Sequence, residues 1–185
     1  MGKLILVTGG ARSGKSSFAE EIAKKFEGDI LYVATCIPVD DEMRCRIQKH
    51  KEQRPKNWET VEAYKDLNLH LESKLIHKSA VLLDCITIMV TNIMLDECRD
   101  IDNIGTDEAA EMENRVRQEI EKLIELANKS KAAFIIVTNE VGMGVVPEYP
   151  SGRVFRDIAG RANQMLARAA DEVHLCVSGI PVRIK

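Results

Sequence analysis

Residues 9–16 (GGARSGKS) combine a glycine-rich loop with a lysine and a hydroxyl side chain. They follow an apolar run at 4–7 (LILV) and precede a helical stretch, the strand–loop–helix order of a phosphate-binding P-loop. The glycines let successive backbone N–H groups turn toward one point, and the helix dipole adds positive charge there. We predict that a nucleoside triphosphate binds here, with Lys15 at the β and γ phosphates and Ser16 on a Mg²⁺ ion. An ordinary glycine-rich turn is the alternative.

Residues 40–62 (DDEMRCRIQKHKEQRPKNWETVE) hold a second candidate for chemistry. On a helix predicted over 40–53, Arg46, His50 and Arg54 are four residues apart and share one face. Two guanidinium groups beside His50 would disfavour imidazolium and keep a neutral, nucleophilic ring, and the arginines could also clamp a polyphosphate. A solvated charged helix face is the plainer interpretation of this pattern taken by itself.

Three further strand ends carry residues that could meet a ligand. The end of the second predicted strand delivers Ala34, Thr35 and Cys36, the end of the third delivers Asp84, and the end of the fourth delivers Asn139 and Glu140. In open α/β sheets the ligand lies at the carboxyl ends of the strands. Asp84 is therefore a candidate for the Mg²⁺ shell, or else the N-cap of a helix over 86–97. Asn139 and Glu140 could contact nucleotide, metal or second substrate, or could simply form a loop.

The elements that must position these residues alternate between apolar runs and helical stretches. This pattern predicts an α/β fold, a P-loop NTPase-like mostly parallel sheet with helices on both faces. The turn SGIP (178–181) predicts an antiparallel C-terminal edge strand. With 185 residues, 45% of them hydrophobic, we expect one domain over 1–185. The predicted strands cover 3–8, 30–34, 80–84, 133–138, 172–177 and 182–184, and the predicted helices cover 15–26, 40–53, 66–77, 86–97, 107–129 and 153–169.

Composition excludes several classes of function. The net charge is −3, with 26 basic and 29 acidic residues interspersed, which gives no basic surface for nucleic acid. No apolar run approaches the roughly 18 residues of a membrane span, and no secretory signal pattern begins the sequence, so we expect a cytoplasmic protein. The five cysteines lack metal-finger or CxxC spacing and are predicted to be reduced thiols. The remaining histidines, predicted to be structural or exposed, are His70, His77 and His174.

Six segments in order carry a family resemblance: GGARSGKS, DDEMRCRIQKHKEQRPKNWETVE, LLDCITIMVTN, VTNEVGMGVVPE, FRDIAGRANQMLA and VSGI. Together they closely resemble the bifunctional adenosylcobinamide kinase / adenosylcobinamide-phosphate guanylyltransferase family of cobalamin biosynthesis. The resemblance covers nearly the whole chain and implies a sheet similar to that of recombinase-type ATPases, assembled as a homotrimer. It also implies two reactions. Adenosylcobinamide is phosphorylated with ATP or GTP, and GMP then passes from GTP to adenosylcobinamide phosphate, giving adenosylcobinamide-GDP.

The resemblance assigns residues as well. In the family, the histidine of the pattern RIxxHxxxRPxxWxTxE accepts GMP, and here it is His50. Lys49 precedes it where some relatives have a second histidine, which leaves one candidate nucleophile. Lys15 is the other catalytic candidate, and Ser16 and Asp84 are the candidates for Mg²⁺. The implied nucleotide contacts are Gly9, Gly10, Ala11, Arg12, Ser13, Gly14, Lys15, Ser16, Ala34, Thr35, Cys36, Lys51, Glu52, Gln53, Arg54, Glu62 and Asp84.

The expected mechanism requires a closure. Because the P-loop holds the β and γ phosphates, the helix that carries His50 must come over the α-phosphorus, and we expect residues 36–56 to close on GTP. Two alternatives remain. One is a P-loop small-molecule kinase without a covalent step. The other is a non-catalytic GTP-binding switch, which the absence of a guanine-reading NKxD motif after VTNE disfavours.

Overall fold

The computed structural model describes residues 2–37, 55, 57–97 and 103–185. The helix predicted over 40–53, the candidate nucleophile His50 and most of the predicted closing segment 36–56 lie outside these ranges. Four of the implied nucleotide contacts also lie outside: Lys51, Glu52, Gln53 and Arg54.

The described residues form one seven-stranded sheet with five α-helices. The strands are β1 (Leu4–Gly9), β2 (Asp29–Ala34), β3 (Glu59–Glu62), β4 (Lys78–Asp84), β5 (Ala133–Val137), β6 (Glu172–Val177) and β7 (Ile180–Arg183). The helices are α1 (Lys15–Ala23), α2 (Leu67–Leu71), α3 (Ile86–Glu97), α4 (Thr106–Lys129) and α5 (Pro150–Ala169), with a 3₁₀ turn at Glu72–His77. The strand order is β3-β2-β4-β5-β1-β6-β7, and every pairing is parallel except that of β6 with β7.

The core lies on both faces of the sheet. All six residues of β1 are buried, as expected of a central parallel strand covered on two sides. Leu4 and Leu6 pack in a cluster with α2, α3, α4 and α5, whereas Ile5 and Val7 pack in a second cluster with α1. The predicted α/β architecture, with helices on both faces and an antiparallel C-terminal edge strand, is confirmed. Within the described ranges, no helix combines the length and the apolar character needed to cross a bilayer.

Two predictions around the edge strand β3 were wrong. The predicted strands include none at 59–62 (ETVE), although the structure has one there. It pairs in parallel with β2 and buries only Val61, as an edge strand can. The helix predicted over 66–77 is instead the short α2 followed by the 3₁₀ turn. None of the side chains at 72–77 is buried, so no apolar stripe holds a longer α-helix against the sheet.

Two boundaries near the C-terminus also differ from the prediction. Helix α5 begins at Pro150 rather than at 153, because the fixed φ of proline suits the first helical position. Strand β7 begins at Ile180 rather than at 182, because the turn has only two residues. Ser178 and Gly179 have φ of 51° and 84°, the left-handed pair of a tight hairpin turn.

Candidate nucleotide site at the carboxyl edge of the sheet

Strand register brings three of the predicted site residues into one row. Ala34 pairs with Glu62 on one side and with Asp84 on the other, and Asp84 pairs with Val137 of β5. Neighbouring strands lie about 4.8 Å apart, so Glu62 and Asp84 are separated by about 10 Å along the carboxyl edge. The same edge receives the P-loop, because β1 ends at Gly9.

The P-loop joins β1 to α1 and is braced by the β6–β7 turn. Gly14 precedes the helix with φ 86°, and a Cβ there would lie 3.0 Å from the Cα of Gly179. The Gly179 N–H donates to the Ser13 carbonyl at 2.9 Å, which ties the turn to the loop. The Lys15 ammonium donates to the Gly10 carbonyl at 3.1 Å and so lies across the loop.

The interior of the loop has a polar atom without a protein partner. The Ser13 hydroxyl is buried and finds no hydrogen-bond partner among the described residues. A Cβ on Gly9 would lie 2.6 Å from that hydroxyl and 2.5 Å from the Cys176 carbonyl, so the loop closes tightly only with glycine here. A buried hydroxyl costs free energy unless it is paired, and a phosphate oxygen is the partner that a P-loop supplies.

The charge of Lys15 lies near the middle of the carboxyl edge. Burial, and after it the negative charge of Asp84, raise the pKa of the Cys85 thiol to about 11, while Lys15 acts in the opposite direction. Burial likewise raises the pKa of the Cys176 thiol, and again Lys15 opposes the shift. Because Cys85 follows β4 and Cys176 lies in β6, the ammonium is close enough to act on both sides of β1.

The predicted Mg²⁺ residues offer suitable oxygen donors. Asp84 is half-buried at the end of β4 and accepts a hydrogen bond from the Tyr32 hydroxyl at 3.4 Å. Its carboxylate and the Ser16 hydroxyl are hard oxygen ligands of the kind that Mg²⁺ prefers. In the part of the chain that the structure describes, no group of three His, Cys, Asp or Glu side chains could hold a metal. An ion at Ser16 and Asp84 would thus complete its shell with phosphate oxygens and water, as P-loop sites do.

A buried polar network joins the ends of β2, β4 and β5 to α3. The Thr35 hydroxyl donates to the Cys85 carbonyl at 2.8 Å and accepts from the Cys85 N–H at 2.9 Å. The Asn92 amide donates to the Thr35 carbonyl, and the Asn139 amide donates to the Thr87 hydroxyl, each at 2.6 Å. These bonds hold the predicted contact Thr35 and Asn139, which follows β5, at the same edge of the sheet.

A second network ties the end of β5 to α5. The Asn163 side chain accepts from the Thr138 hydroxyl at 2.6 Å and donates to the Asn139 carbonyl at 3.0 Å and the Glu140 carboxylate at 3.4 Å. The Thr8 hydroxyl donates to the same Glu140 oxygen at 2.9 Å. Glu140 is thereby held beside β1, next to the P-loop.

A cleft of about 320 Å³ opens at the ends of β2 and β3. It gathers four implied nucleotide contacts, Ala34, Thr35, Cys36 and Glu62. It is also lined by Ile37, Ala63, Tyr64, Lys65 and His70. The Lys65 ammonium and the Tyr64 hydroxyl both donate to Asp96, at 2.8 and 2.7 Å, so this wall is anchored to α3.

Sequence reasoning missed several residues that build this edge. Thr87, Asn92 and Asn163 were not among the predicted site residues. His70 was predicted to be structural or exposed, and in the structure it is exposed and lines the cleft. Asn163 carried a usable signal, because it is a polar residue at a buried position of the α5 apolar stripe.

Comparison with known proteins agrees with the resemblance. The family model for cobinamide kinase / cobinamide phosphate guanyltransferase matches residues 5–184. The chain is 50% identical over 185 residues to the bifunctional adenosylcobalamin biosynthesis protein CobU of Salmonella typhimurium and 48% identical over 182 residues to CobU of Escherichia coli. Each match covers 98% of this chain and 99% of the relative. CobP of Pseudomonas aeruginosa is 35% identical over 180 residues, covering 97% of this chain and 96% of the relative.

A solved structure from Pyrococcus horikoshii shares the fold. It superposes with a TM-score of 0.55 at 10% sequence identity, covering 99% of this chain and 86% of the other.

Proposed function

The chain belongs to the cobinamide kinase / cobinamide phosphate guanyltransferase family, and from that premise we propose that it catalyses both reactions. It phosphorylates the hydroxyl of adenosylcobinamide with ATP or GTP and then transfers GMP from GTP to the phosphate, giving adenosylcobinamide-GDP. The observation that carries the proposal is the carboxyl edge of the sheet, on which Glu62, Ala34 and Asp84 lie in register and from which the P-loop leaves β1.

In the kinase reaction, this chain's residues mainly position the phosphates. The P-loop amides and Lys15 hold the polyphosphate and stabilise the charge on its equatorial oxygens. Mg²⁺ bound by Ser16 and Asp84 would neutralise further charge on these oxygens. The acceptor hydroxyl attacks the γ-phosphorus, the nucleoside diphosphate leaves, and the hydroxyl proton is released. Asn139 and Glu140 would orient the acceptor, a role supported by the hydrogen bonds that hold them beside the loop.

In the transferase reaction, His50 is the nucleophile. Its neutral ring nitrogen attacks the α-phosphorus of GTP, the bond to pyrophosphate breaks, and a histidine–GMP phosphoramidate forms. The phosphate of adenosylcobinamide phosphate then attacks the same phosphorus and releases the histidine. The covalent step divides a displacement by a weak nucleophile into two easier ones. This role rests on the family pattern, because His50 lies outside the described residues.

The cleft at β2 and β3 is the proposed site for the guanosine end of GTP. Strand β2 lies three strands from β1, about 14 Å away, so a nucleotide that occupies both places extends along the carboxyl edge. The Glu62 carboxylate offers two acceptor oxygens, which match the N1–H and amino donors of guanine but not the edge of adenine. The P-loop residues 9–16, Ala34 to Cys36, and Lys51 to Arg54 complete the proposed contacts.

The decisive experiment is mass spectrometry of the protein after incubation with GTP. We expect one GMP on the wild type, in an acid-labile bond, and none on His50→Ala. Lys49→Ala is the matched control and should still be labelled. The His50→Ala variant should lose the transferase and retain at least part of the kinase. If the wild type phosphorylates the corrinoid but acquires no GMP, the result would favour the alternative, a small-molecule kinase without a covalent step.

Assembly as a homotrimer and a cytoplasmic location are proposed on the resemblance. Light scattering should give a mass of three chains. A mass of one chain would contradict the trimer.

A further inference from the structure

The segment 141–149 (VGMGVVPEY) places an apolar surface beside the P-loop. Met143, Val145, Val146 and Tyr149 are 77%, 91%, 67% and 66% exposed. Glu148 is the one charged residue among the nine. Contiguous exposed apolar surface of this kind marks interaction or ligand sites.

The segment is held in a defined position. The Arg153 guanidinium donates to the carbonyls of Pro147 and Glu148 at 3.1 and 2.6 Å. A Cβ built on Gly152 would lie 2.8 Å from the Cβ of Pro147, so the segment packs closely against the first turn of α5. The apolar side chains are therefore displayed on an anchored loop.

The segment starts at the rim of the nucleotide site. The Glu140 N–H donates to the Gly9 carbonyl at 3.2 Å, and the apolar residues follow directly. At no more than about 3.6 Å per residue, the Cα of Met143 lies within about 11 Å of that bond and the Cα of Val145 within about 18 Å. A molecule resting on this surface can thus reach the phosphates above the P-loop.

A cavity of about 280 Å³ extends the surface between α3 and α5, lined by Thr91, Met94, Leu95, Ser151, Gly152 and Phe155. Thr91 donates to the Thr87 carbonyl, one helical turn earlier, and Thr87 in turn accepts from Asn139. The cavity consequently begins about 5 Å along the helix from the polar network at the end of β5. Leu95, 52% exposed, continues the apolar surface at its mouth.

We propose that the segment 141–149 and the adjoining cavity together form a platform that binds the corrinoid part of the second substrate. The inference rests on the proposed function. A triphosphate gains nothing from an apolar surface whose one charged residue is a carboxylate, whereas a corrin ring presents a wide periphery of methyl groups and uncharged amides. The cavity is too small for the ring and fits one of its side chains. Because the acceptors of both reactions carry the same corrinoid, one platform serves both.

The test introduces a carboxylate into the platform with Met143→Asp and Val145→Asp. Both side chains are exposed, so the fold does not depend on them. Ile76→Asp is the matched control, because Ile76 is 75% exposed and lies just before the amino end of β4, at the opposite edge of the sheet. The readouts are KM for adenosylcobinamide in the kinase reaction, KM for adenosylcobinamide phosphate in the transferase reaction, and the rate of GMP attachment from GTP in the absence of corrinoid.

Both platform variants should raise the two corrinoid KM values about tenfold, because the carboxylate would be covered by an apolar ligand without a partner. GMP attachment should stay at the wild-type rate, since it needs no corrinoid, and the control should change nothing. Unchanged corrinoid KM values would overturn the proposal, as would a parallel loss of GMP attachment. A change in oligomer mass in light scattering would assign the surface to a second copy of the chain and equally overturn it. Failure of the proposed function would look different, because the wild type would then neither bind GMP covalently nor turn over a corrinoid.

Discussion

Asn163→Ala tests whether the α5 side chain holds the end of β5 in place. Asn163 is 8% exposed, and its partner Thr138 is fully buried. The substitution removes the acceptor 2.6 Å from the Thr138 hydroxyl and the donor 3.0 Å from the Asn139 carbonyl. The Thr138 hydroxyl and the Asn139 carbonyl then lose these hydrogen bonds at buried and half-buried positions, where water is a poor substitute.

The magnitude follows from these two groups. A buried polar group left unpaired costs about 1–3 kcal/mol, so two such groups, one of them only partly buried, give a loss of about 2–4 kcal/mol in the free energy of unfolding. With a urea m-value of about 2 kcal/mol per molar, the midpoint should fall by about 1–2 M. Gln164→Ala, the exposed neighbour, should change stability by less than about 0.5 kcal/mol.

A double-mutant cycle with Thr138→Val isolates the hydrogen bond. Valine lacks the hydroxyl that needs Asn163, so in the Thr138→Val background the Asn163→Ala change should cost about 1–2 kcal/mol less than in the wild type. Urea unfolding followed by circular dichroism measures all four proteins. A midpoint shift below about 0.3 M for Asn163→Ala, or strictly additive effects, would refute the reasoning.

Three further predictions concern the site and its surroundings. Lys15→Ala should lower kcat/KM of the kinase about 10²–10³-fold without a change in unfolding midpoint, because a phosphate-stabilising cation is lost from a half-buried position at the surface. An equally large loss of stability would argue against this. Glu62→Gln should reduce the preference for GTP over ATP in nucleotide attachment about tenfold or more, measured with the two α-labelled nucleotides, and an unchanged ratio would remove Glu62 from guanine recognition. Burial raises the pKa of the Cys85 thiol from its ordinary 9.0 to about 11, so between these pH values the unfolded chain releases a proton that the folded chain keeps. The free energy of unfolding should therefore fall by up to about 1.4 kcal/mol per pH unit as the pH rises through this window, and Cys85→Ala should lessen that slope.

The central strands were predictable because their signal is local. Strand β5 is apolar throughout and β1 is apolar over Leu4–Val7, and a parallel strand buried on both faces requires this whatever its neighbours are. The P-loop was predictable for a similar reason, since its chemistry depends on glycines, a lysine and a serine that are contiguous in sequence. The position of Asp84 followed as well, because it needs only the end of an apolar run.

The cleft and the networks were not predictable, because their signals are not local. The residues of β3 form a strand only because they pair with β2. Glu62 was therefore predicted as a site residue from the family resemblance and not from its own sequence context. Asn163 meets Thr138 from a helix that begins twelve residues later in the chain. Helical periodicity places Asn163 on the buried face but does not say which strand end it faces.

The sheet order explains why strand ends gave useful site predictions despite errors in the boundaries. Every parallel strand delivers its carboxyl end to the same edge, so an error of one or two residues still leaves a polar residue such as Asp84 at that edge. The strand ends do not reveal the order in which the strands lie across the sheet. In the chain these strands follow one another as β1, β2, β4 and β5, but across the sheet they lie in the order β2, β4, β5, β1. This order sets the distance between the P-loop and the Glu62 cleft. A single GTP must bridge that distance if its guanine is to lie in the Glu62 cleft while the P-loop holds its terminal phosphates. The spacing of the strands, more than any one side chain, therefore determines whether the two proposed reactions can use one nucleotide position.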